Sequence, residues 1–372
     1  MDAEKYVKDE IDDLKEIKKR PYSYICDYVE SIYPNIGYKT FKILALLPCS
    51  LIIPDLPFGS KKVRTNLNCL LLAGSGSGKT SIAKLFANIT FSPLELESVT
   101  SAKLESTIAQ MEGTFSLIVG DFARMSKDPT LIKVIEGLLG EEKSMSRKTM
   151  RKDIEMEVNG VALLCGISTD LSHYILSGLL FRTIPILIGH TSEEHEHIGE
   201  HIKDKIGNGE ESNQEKIIKD YYMELARIQT NPSTLIRGFN IKKEYRAKAY
   251  NEWKKLTTPI VKDIGFNFFR ELQEFFRFLC SSAFLNYFIR EKQGLINDGI
   301  LTPSEEDFKI ALKLMKESIL FKFRLIRAES YSKGIKNAKE FKEILKSDKV
   351  KEEYKEILRN LVKIKEGRIS RR

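Results

Sequence analysis

The stretch that decides the fold is Asn68-Cys-Leu-Leu-Leu-Ala-Gly-Ser-Gly-Ser-Gly-Lys-Thr-Ser81. Its apolar run from Cys69 to Ala73 predicts a buried strand, and apolar residues at helical spacing from Ser81 to Asn88 predict a helix. The Gly/Ser-rich turn between them has backbone N–H groups that can wrap a phosphate chain at the helix N-terminus, where the helix dipole favours anions. The stretch therefore predicts a phosphate-binding loop (P-loop) within an α/β fold.

The residues of this loop have distinct expected roles. Lys79 is expected to reach the terminal phosphates of a nucleotide, and the Thr80 hydroxyl to ligate Mg²⁺. Ala73 stands where the P-loop pattern has its first glycine, which is a mild departure. The predicted cofactors are ATP and Mg²⁺. The predicted nucleotide-binding residues are Gly74, Ser75, Gly76, Ser77, Gly78, Lys79, Thr80 and Ser81.

Three further apolar segments predict strands of the same sheet, namely 115–119, 161–167 and 183–188. The first is followed by Gly120 and Asp121, and a carboxylate in this position can hold Mg²⁺ or its water. Asp121 is therefore predicted to be a catalytic residue and, with Thr80, a metal ligand. The alternative is an Asp that ends a strand by chance. After a predicted helix at 129–139, the alternation of apolar and charged residues over 154–158 predicts a strand, and with it a hairpin beginning at Ser144.

From about Ser31 to Ile326 the chain resembles the ATPase domain of minichromosome-maintenance (MCM) helicases and their plasmid and viral relatives in the AAA+ superfamily. The resemblance rests on several motifs that occur in the family's order around the P-loop. They are Ser31–Gly37 with Lys39, Phe122-Ala-Arg-Met125, Met145-Ser-Arg-Lys148, Leu180-Phe-Arg182, Phe269–Arg277 and Leu301–Met315.

The resemblance implies a fold and a division of the chain. The fold would be α/β, an AAA+ P-loop three-layer core with a parallel sheet, followed by an all-helical lid and a helical C-terminal tail. The implied parts are an N-terminal helical extension over 1–30, the ATPase core over 31–200, the lid with a sensor-2-like helix over 201–330, and a basic helical tail over 331–372.

The same resemblance implies roles for individual residues. Arg182 corresponds to the family's arginine finger and Arg270 to its sensor-2 arginine, and both would act on ATP bound to a neighbouring subunit. Ser168 or Thr169 would replace the sensor-1 asparagine. Taken without the resemblance, Arg182 could merely cap a strand and Arg270 could be a solvated helix charge. The residues implied to contact DNA, near the hairpin tip, are Arg147, Lys148, Arg151 and Lys152.

The chain departs from the family at the second carboxylate. In one register Asp121 takes the metal-holding position and Phe122 replaces the catalytic glutamate. In the other register Asp121 is the catalytic acid and Gly120 takes the metal position. The sequence leaves both registers open, and either leaves a single carboxylate where ATPases of this kind have two. This departure puts the rate of hydrolysis in doubt, whereas nucleotide binding does not depend on it.

The resemblance implies an ATP-dependent DNA helicase or translocase that assembles as a homo-oligomeric ring, expected to be a hexamer, on single-stranded or forked DNA. It would serve replication of a plasmid, virus or mobile element, with a separate DNA-binding or replication-initiator protein as a possible partner. One alternative is a nucleotide-binding scaffold or loader with little hydrolysis. Another is a DNA-packaging or transposition-helper ATPase.

Composition excludes secreted, membrane and fibrous proteins. The chain has 372 residues, of which 42% are hydrophobic and 30% charged, and its five cysteines are widely spaced. No apolar run reaches the roughly 18 residues of a membrane span, and Met1 is followed by a charged stretch, so we expect a cytoplasmic protein without a membrane partner. From Lys333 onward 14 Lys and Arg face 7 Asp and Glu, which predicts either a contact with nucleic acid or a solvated hairpin.

Three local patterns in the predicted lid complete the expectations. Apolar residues at 268, 272, 275, 276, 279 and 283 form one stripe, which leaves Arg270, Glu274 and Arg277 together on the other face. Thr302-Pro-Ser-Glu305 matches a capping box. The helical spacing of the aromatic residues indicates core positions rather than base-stacking ones; these residues are Trp253, Phe266, Phe268, Phe269, Phe275 and Phe276.

A histidine cluster around His195 and His197 is expected to be a polar loop, with metal binding as the alternative.

Overall fold

The structure is a computed structural model. It describes residues 14–32, 38–58, 60–73, 78–97, 100–110, 114–122, 128–140, 144–148, 153–157, 159–167, 174–175, 178–188, 213–264 and 268–333. The histidine cluster and the basic tail beyond Lys333 lie outside these residues.

The fold is α/β and is built on a five-stranded sheet in the order β4-β5-β8-β3-β9, in which all neighbouring strands are parallel. The strands are β3 (Asn68–Ala73), β4 (Pro93–Leu96), β5 (Thr114–Val119), β8 (Asn159–Ile167) and β9 (Ile184–Ile188). Successive residues of β3 and β8 are all buried from 68 to 72 and from 160 to 166. Since neighbouring side chains of a strand point to opposite faces, the sheet is covered on both faces. The predicted parallel α/β sheet is confirmed.

Helices and two small antiparallel pairs surround this sheet in the first half of the chain. The elements are α1 (Pro21–Ile32), α2 (Tyr38–Ile52), the pair β1 (Leu56–Phe58) and β2 (Lys61–Val63), α3 (Lys79–Ile89), α4 (Ser101–Gln110), α5 (Pro129–Leu138), the hairpin β6 (Ser144–Lys148) and β7 (Asp153–Glu157), and α6 (Leu179–Arg182).

The second half of the described chain is mainly helical. Its elements are α7 (Asn213–Thr230), α8 (Lys243–Ile264), α9 (Phe269–Leu285), α10 (Tyr287–Lys292) and α11 (Glu305–Lys333), with three two-residue strands β10 (Gly238–Phe239), β11 (Ile296–Asn297) and β12 (Ile300–Leu301). The predicted limits between core, lid and tail stay predictions.

Specific hydrogen bonds fix this helical half against the sheet region. The Tyr222 hydroxyl of α7 donates to the Ala45 carbonyl of α2 at 2.7 Å. The Arg277 guanidinium of α9 donates through Nε to the Arg64 carbonyl at 2.8 Å. Arg64 is itself buried and donates to the carbonyls of Leu138 and Gly140, at the C-terminal end of α5. Because carbonyls at a helix end lack partners within the helix, this arginine acts as a C-cap that also meets α9.

The charged face of α9 packs against other parts of the chain, with Glu274 meeting α11 and Arg277 meeting Arg64. Glu274 and Arg277 are buried, and Glu271 beside them is fully buried. Lys322 of α11, also fully buried, donates to Glu271 at 2.7 Å and to Glu274 at 2.8 Å. A charge can be buried when it is paired and hydrogen-bonded, and the partner here lies far along the chain. Charge on a helix was therefore a poor guide to exposure.

The expected capping box at Thr302–Glu305 is also wrong, by two residues. The box is formed by Ser304 and Asp307: the Ser304 backbone N–H donates to the Asp307 carboxylate at 2.9 Å, and the Asp307 N–H donates to the Ser304 hydroxyl at 3.3 Å. Asp307 displaces the expected pairing because it also accepts two 2.8 Å hydrogen bonds from buried Arg290. The helix therefore begins at Glu305, with Pro303 just before its N-cap.

The prediction that the aromatic residues are core is confirmed for Phe268 and Phe275, which are buried, whereas Trp253 and Phe276 are half-buried against the core. It is wrong for Phe269, whose side chain is 64% exposed. Phe269 is the first residue of α9, and the opposite face of that first turn directs Glu271 toward Lys322. Phe266 lies outside the described residues.

The helices of the described chain include none that combines the length and the apolar character needed to cross a membrane.

Candidate functional site

The phosphate-loop stretch has the predicted strand and helix on either side. Residues 74–77 lie outside the described part of the chain, and Gly78 leads directly into α3. Gly78 has φ +80°, a left-handed conformation that suits glycine, and a Cβ there would meet nothing within 4 Å. It provides no side-chain cap for α3. An uncapped helix N-terminus of this kind presents N–H groups and the positive end of the helix dipole to an anion.

Lys79 and Asp121 lie within electrostatic reach of each other at this edge of the sheet. Lys79 is half-buried, and burial lowers its pKa, an effect that the nearby Asp121 carboxylate partly opposes. The thiol of Cys165, on the neighbouring strand β8, donates to the Lys79 carbonyl at 3.8 Å. Thr80 and Ser81 are exposed in the first turn of α3. The edge thus combines a cation, two hydroxyl groups and a carboxylate.

Asp121 is exposed, whereas the next residue points into the core. Phe122 is fully buried and stacks on Tyr174, with ring centroids 5.8 Å apart. A Cβ at Gly166 would lie 2.9 Å from the Tyr174 hydroxyl, so β8 needs glycine there. The side chain after Asp121 is therefore a packing residue, and Asp121 supplies the carboxylate of this edge in either of the two registers.

The strand order puts the end of β8 between those of β3 and β5. Ile167 pairs with Ala73 on one side, and Leu164 pairs with Val119 on the other. Strands lie about 4.8 Å apart, so the ends of β3 and β5 are separated by about 10 Å. Ser168 and Thr169 follow β8 in sequence and lie outside the described residues, as do Arg151 and Lys152.

Oxygen ligands suited to Mg²⁺ are present at this edge. The Thr80 hydroxyl and the Asp121 carboxylate are exposed there, and Mg²⁺ is commonly held by one or two protein oxygens together with waters and substrate phosphates. These residues fit a nucleotide-bound magnesium ion. In the described part of the chain no group of three or more His, Cys, Asp and Glu residues is arranged to hold a metal by itself.

Arg182 lies at the opposite edge of the sheet. Ile184 pairs with Cys69 and Ile188 with Ala73, so Arg182 precedes the N-terminal ends of both strands. With a rise of about 3.3 Å per residue, it is about 20 Å along the strands from the end of β3 at which the loop begins. Its Nη1 lies 3.8 Å from Glu136 Oε1 of α5, and about a quarter of each side chain is exposed.

Gly178 makes room for this arginine. It has φ +74°, and a Cβ there would lie only 2.7 Å from Arg182 Nη1. The left-handed backbone favours glycine here, and a methyl group at this position would force the guanidinium to shift. Glu136 and Gly178 were missed by sequence reasoning. A glycine just before the short helix of Arg182 was a visible signal, whereas nothing distinguished Glu136 from any other helix carboxylate.

Arg270 lies in the same region as Arg182. Phe181 packs edge-to-face against Phe268, with ring centroids 6.3 Å apart, so the chain segments carrying the two arginines are in contact. Further along α9, Glu274 lies near the beginning of β3. Burial raises the pKa of Cys69 in β3, and the charge of Glu274 raises it further. The structure thus brings Lys79 and Asp121 together at one edge, and the segments of Arg182 and Arg270 together at the other.

The predicted hairpin is confirmed as a separate two-stranded antiparallel pair. Lys148 ends β6 opposite Asp153, and Arg147 lies opposite Ile154. The four residues that join the strands lie outside the described residues. Basic residues therefore occupy the tip end of a hairpin that is separate from the main sheet.

No protein-family model matches this chain, and no curated protein matches its sequence significantly.

Proposed function

We propose that the chain is an AAA+ ATPase of the MCM type, which hydrolyses ATP between two copies and uses it to move along DNA. The observation that carries the proposal is the separation of complementary groups to opposite edges of one sheet. Lys79 and Asp121 are at the C-terminal edge, while Arg182 is about 20 Å away. One chain cannot bring these groups to the same phosphate, whereas two copies packed edge to edge can.

In this proposal each group of residues has a distinct role in ATP hydrolysis. The loop 74–78 and Lys79 bind the phosphates, and Thr80 and Asp121 hold Mg²⁺, which when bound neutralises charge on the phosphate oxygens. Asp121, with Ser168 or Thr169, orients the attacking water. Arg182 of the neighbouring copy stabilises charge on the transferred phosphoryl group, and Arg270 assists from the same side. The helical region from 213 to 333 is the lid.

Gly178→Ala tests whether Arg182 acts from its observed position. We expect turnover to fall at least about tenfold, because the new methyl group displaces the guanidinium, which is the kind of group worth about 10³-fold or more in phosphoryl transfer. Nucleotide affinity should stay unchanged, since the chain's own loop is at the other edge. Both are measured by steady-state hydrolysis and by titration with a fluorescent ATP analogue.

Gly294→Ala is the matched control. Gly294 has φ +67°, so alanine incurs the same left-handed strain, but a Cβ there would meet nothing within 4 Å. This variant should lose about 1–2 kcal/mol of stability and keep its turnover. Equal turnover in the two variants would contradict the positioning role of Gly178.

The DNA part of the proposal rests on the basic hairpin tip. We expect Lys148→Ala with Arg151→Ala to remove most of the stimulation of ATP turnover by single-stranded DNA, because phosphate contacts by Lys and Arg dominate non-specific DNA affinity. Basal turnover and nucleotide affinity should not change. Lys103→Ala with Lys219→Ala, which removes two exposed lysines from α4 and α7, is the control. Equal stimulation in both double variants would contradict the hairpin's role.

A second function is favoured by a specific observation, the single exposed carboxylate at Asp121 next to the buried Phe122. A chain that binds ATP tightly but lacks a second acid to activate water is suited to a nucleotide-controlled scaffold or loader. Tight binding without turnover, with or without DNA, would select this function over the motor.

A further inference from the structure

We infer that the surface formed by Tyr250, Trp253 and Phe269, called here the aromatic patch, docks against the nucleotide edge of a second copy of this chain. The inference rests on the proposed function and specifies which surface of the chain completes the shared site.

The patch is unusual for its exposure. The described chain has four exposed large apolar side chains, and two of them, Tyr250 at 47% and Phe269 at 64%, belong to the patch. The Trp253 ring lies between them, with centroids 5.8 Å from Tyr250 and 5.7 Å from Phe269. Aromatic residues that cluster at a surface are the commonest anchors of protein interfaces.

The patch is also held in a fixed position. The Trp253 indole N–H donates to the Phe268 carbonyl at 2.7 Å, which links α8 to the beginning of α9. Fixed aromatic side chains lose little conformational entropy on binding, so their buried area contributes more to affinity. Tyr250 and Phe269 flank the Trp253 ring, and their own rings form the exposed contact area of the patch.

Its location connects the patch to the arginines. Phe269 stands between Phe268, which packs against Phe181, and Arg270. Phe181 in turn precedes Arg182. The patch therefore lies close to the chain segments that carry both arginines, so that a partner meeting these segments can also contact the patch.

Charge favours a second copy as that partner. Arg246 and Lys254, one helical turn on either side of Tyr250, are exposed, so the patch has a basic border. The C-terminal edge of the sheet carries exposed Glu97 and Asp121, to which a bound nucleotide would add further negative charge. Opposite charges on two edges of the same chain favour head-to-tail association, which generates rings when the rotation closes.

The test compares Tyr250→Ser with Phe269→Ser against a control, Met223→Ser with Ile300→Ser, which removes the other two exposed apolar side chains. Assembly is followed by sedimentation velocity over a range of protein concentrations with Mg²⁺ and a non-hydrolysable ATP analogue. We expect the concentration for half-assembly to rise at least about tenfold in the patch variant, as for interface anchors generally, and to stay near wild type in the control. Nucleotide affinity of the monomer should change less than about twofold, because the loop is at the other edge.

Phe269→Glu provides a second variant that should fold, since its side chain is mostly exposed, and it should repel the acidic edge and also block assembly. Wild-type assembly concentrations in both patch variants would overturn the inference, and so would loss of binding to labelled single-stranded DNA with assembly intact. A wild-type protein that binds no nucleotide would contradict the proposed function itself. Turnover by the wild type, together with unaffected patch variants, would contradict only the inference.

Discussion

Lys79→Ala is expected to abolish ATP hydrolysis, lowering turnover by at least about 10²-fold, the loss typical of removing one preorganised group that stabilises charge in the transition state. Lys79 begins α3 directly after the left-handed Gly78, and it lies within electrostatic reach of Asp121. Its side chain is only half-buried, so alanine at this position should leave the fold intact. The measurement is steady-state phosphate release, together with a thermal melt to confirm folding.

Lys84→Ala is the matched control, because Lys84 is an exposed lysine of the same helix. It should keep wild-type turnover. If Lys79→Ala hydrolysed ATP as fast as Lys84→Ala, the phosphate loop would not be the site of hydrolysis.

Lys322→Met is expected to lower the free energy of unfolding by about 3–5 kcal/mol, because it leaves two glutamates in the protein interior without their cation. Lys322, Glu271 and Glu274 are all buried, and the Ser318 hydroxyl donates to Glu274 at 3.0 Å. Chemical denaturation at neutral pH measures the loss. Lys316→Met on the same helix is the control: Lys316 pairs with Glu252 at the surface, and its loss should cost less than about 1 kcal/mol. Equal losses would contradict the buried-cluster account.

The same cluster predicts how stability depends on pH. Burial raises the pKa of Glu271, with Lys322 lowering it and Glu274 raising it further. The folded state therefore holds a proton that the unfolded state releases at lower pH. Protonated Glu271 therefore favours the folded state, and its contribution to the free energy of unfolding is complete below the ordinary pKa of 4.5. This contribution is lost as pH rises through the raised pKa. Glu271→Gln, which is neutral at all pH values, should flatten this slope and, measured at neutral pH, leave the fold intact. An unchanged slope would contradict the assignment.

The sheet was predictable because its strands are buried on both faces and so appear as continuous apolar runs. The segments around Cys69, Leu117 and Leu163 are such apolar runs. The Gly78-Lys79 pair indicates where the helix begins. The order of the strands was not predictable, since pairing between Ala73 and Ile167 joins segments far apart in the chain.

The site was predictable only in part, because local pattern does not reveal partners far along the chain. Nothing in the sequence indicated that Glu274 is buried, because its partner Lys322 lies 48 residues later. Likewise Arg182 could be found as a candidate, but its position at the edge opposite Lys79 follows from strand direction and order. Glu136 could not be found at all, since its role depends on how α5 packs beside α6.

The central claim is that one ATP site needs two copies, and the most direct measurement is ATP turnover by an equimolar mixture of Lys79→Ala and Arg182→Ala. Each variant alone should be nearly inactive. In the mixture about a quarter of randomly formed interfaces join an intact loop to an intact arginine, so turnover should recover toward about a quarter of the wild-type value. An inactive mixture of the two folded variants, or full activity of Arg182→Ala alone, would contradict the account.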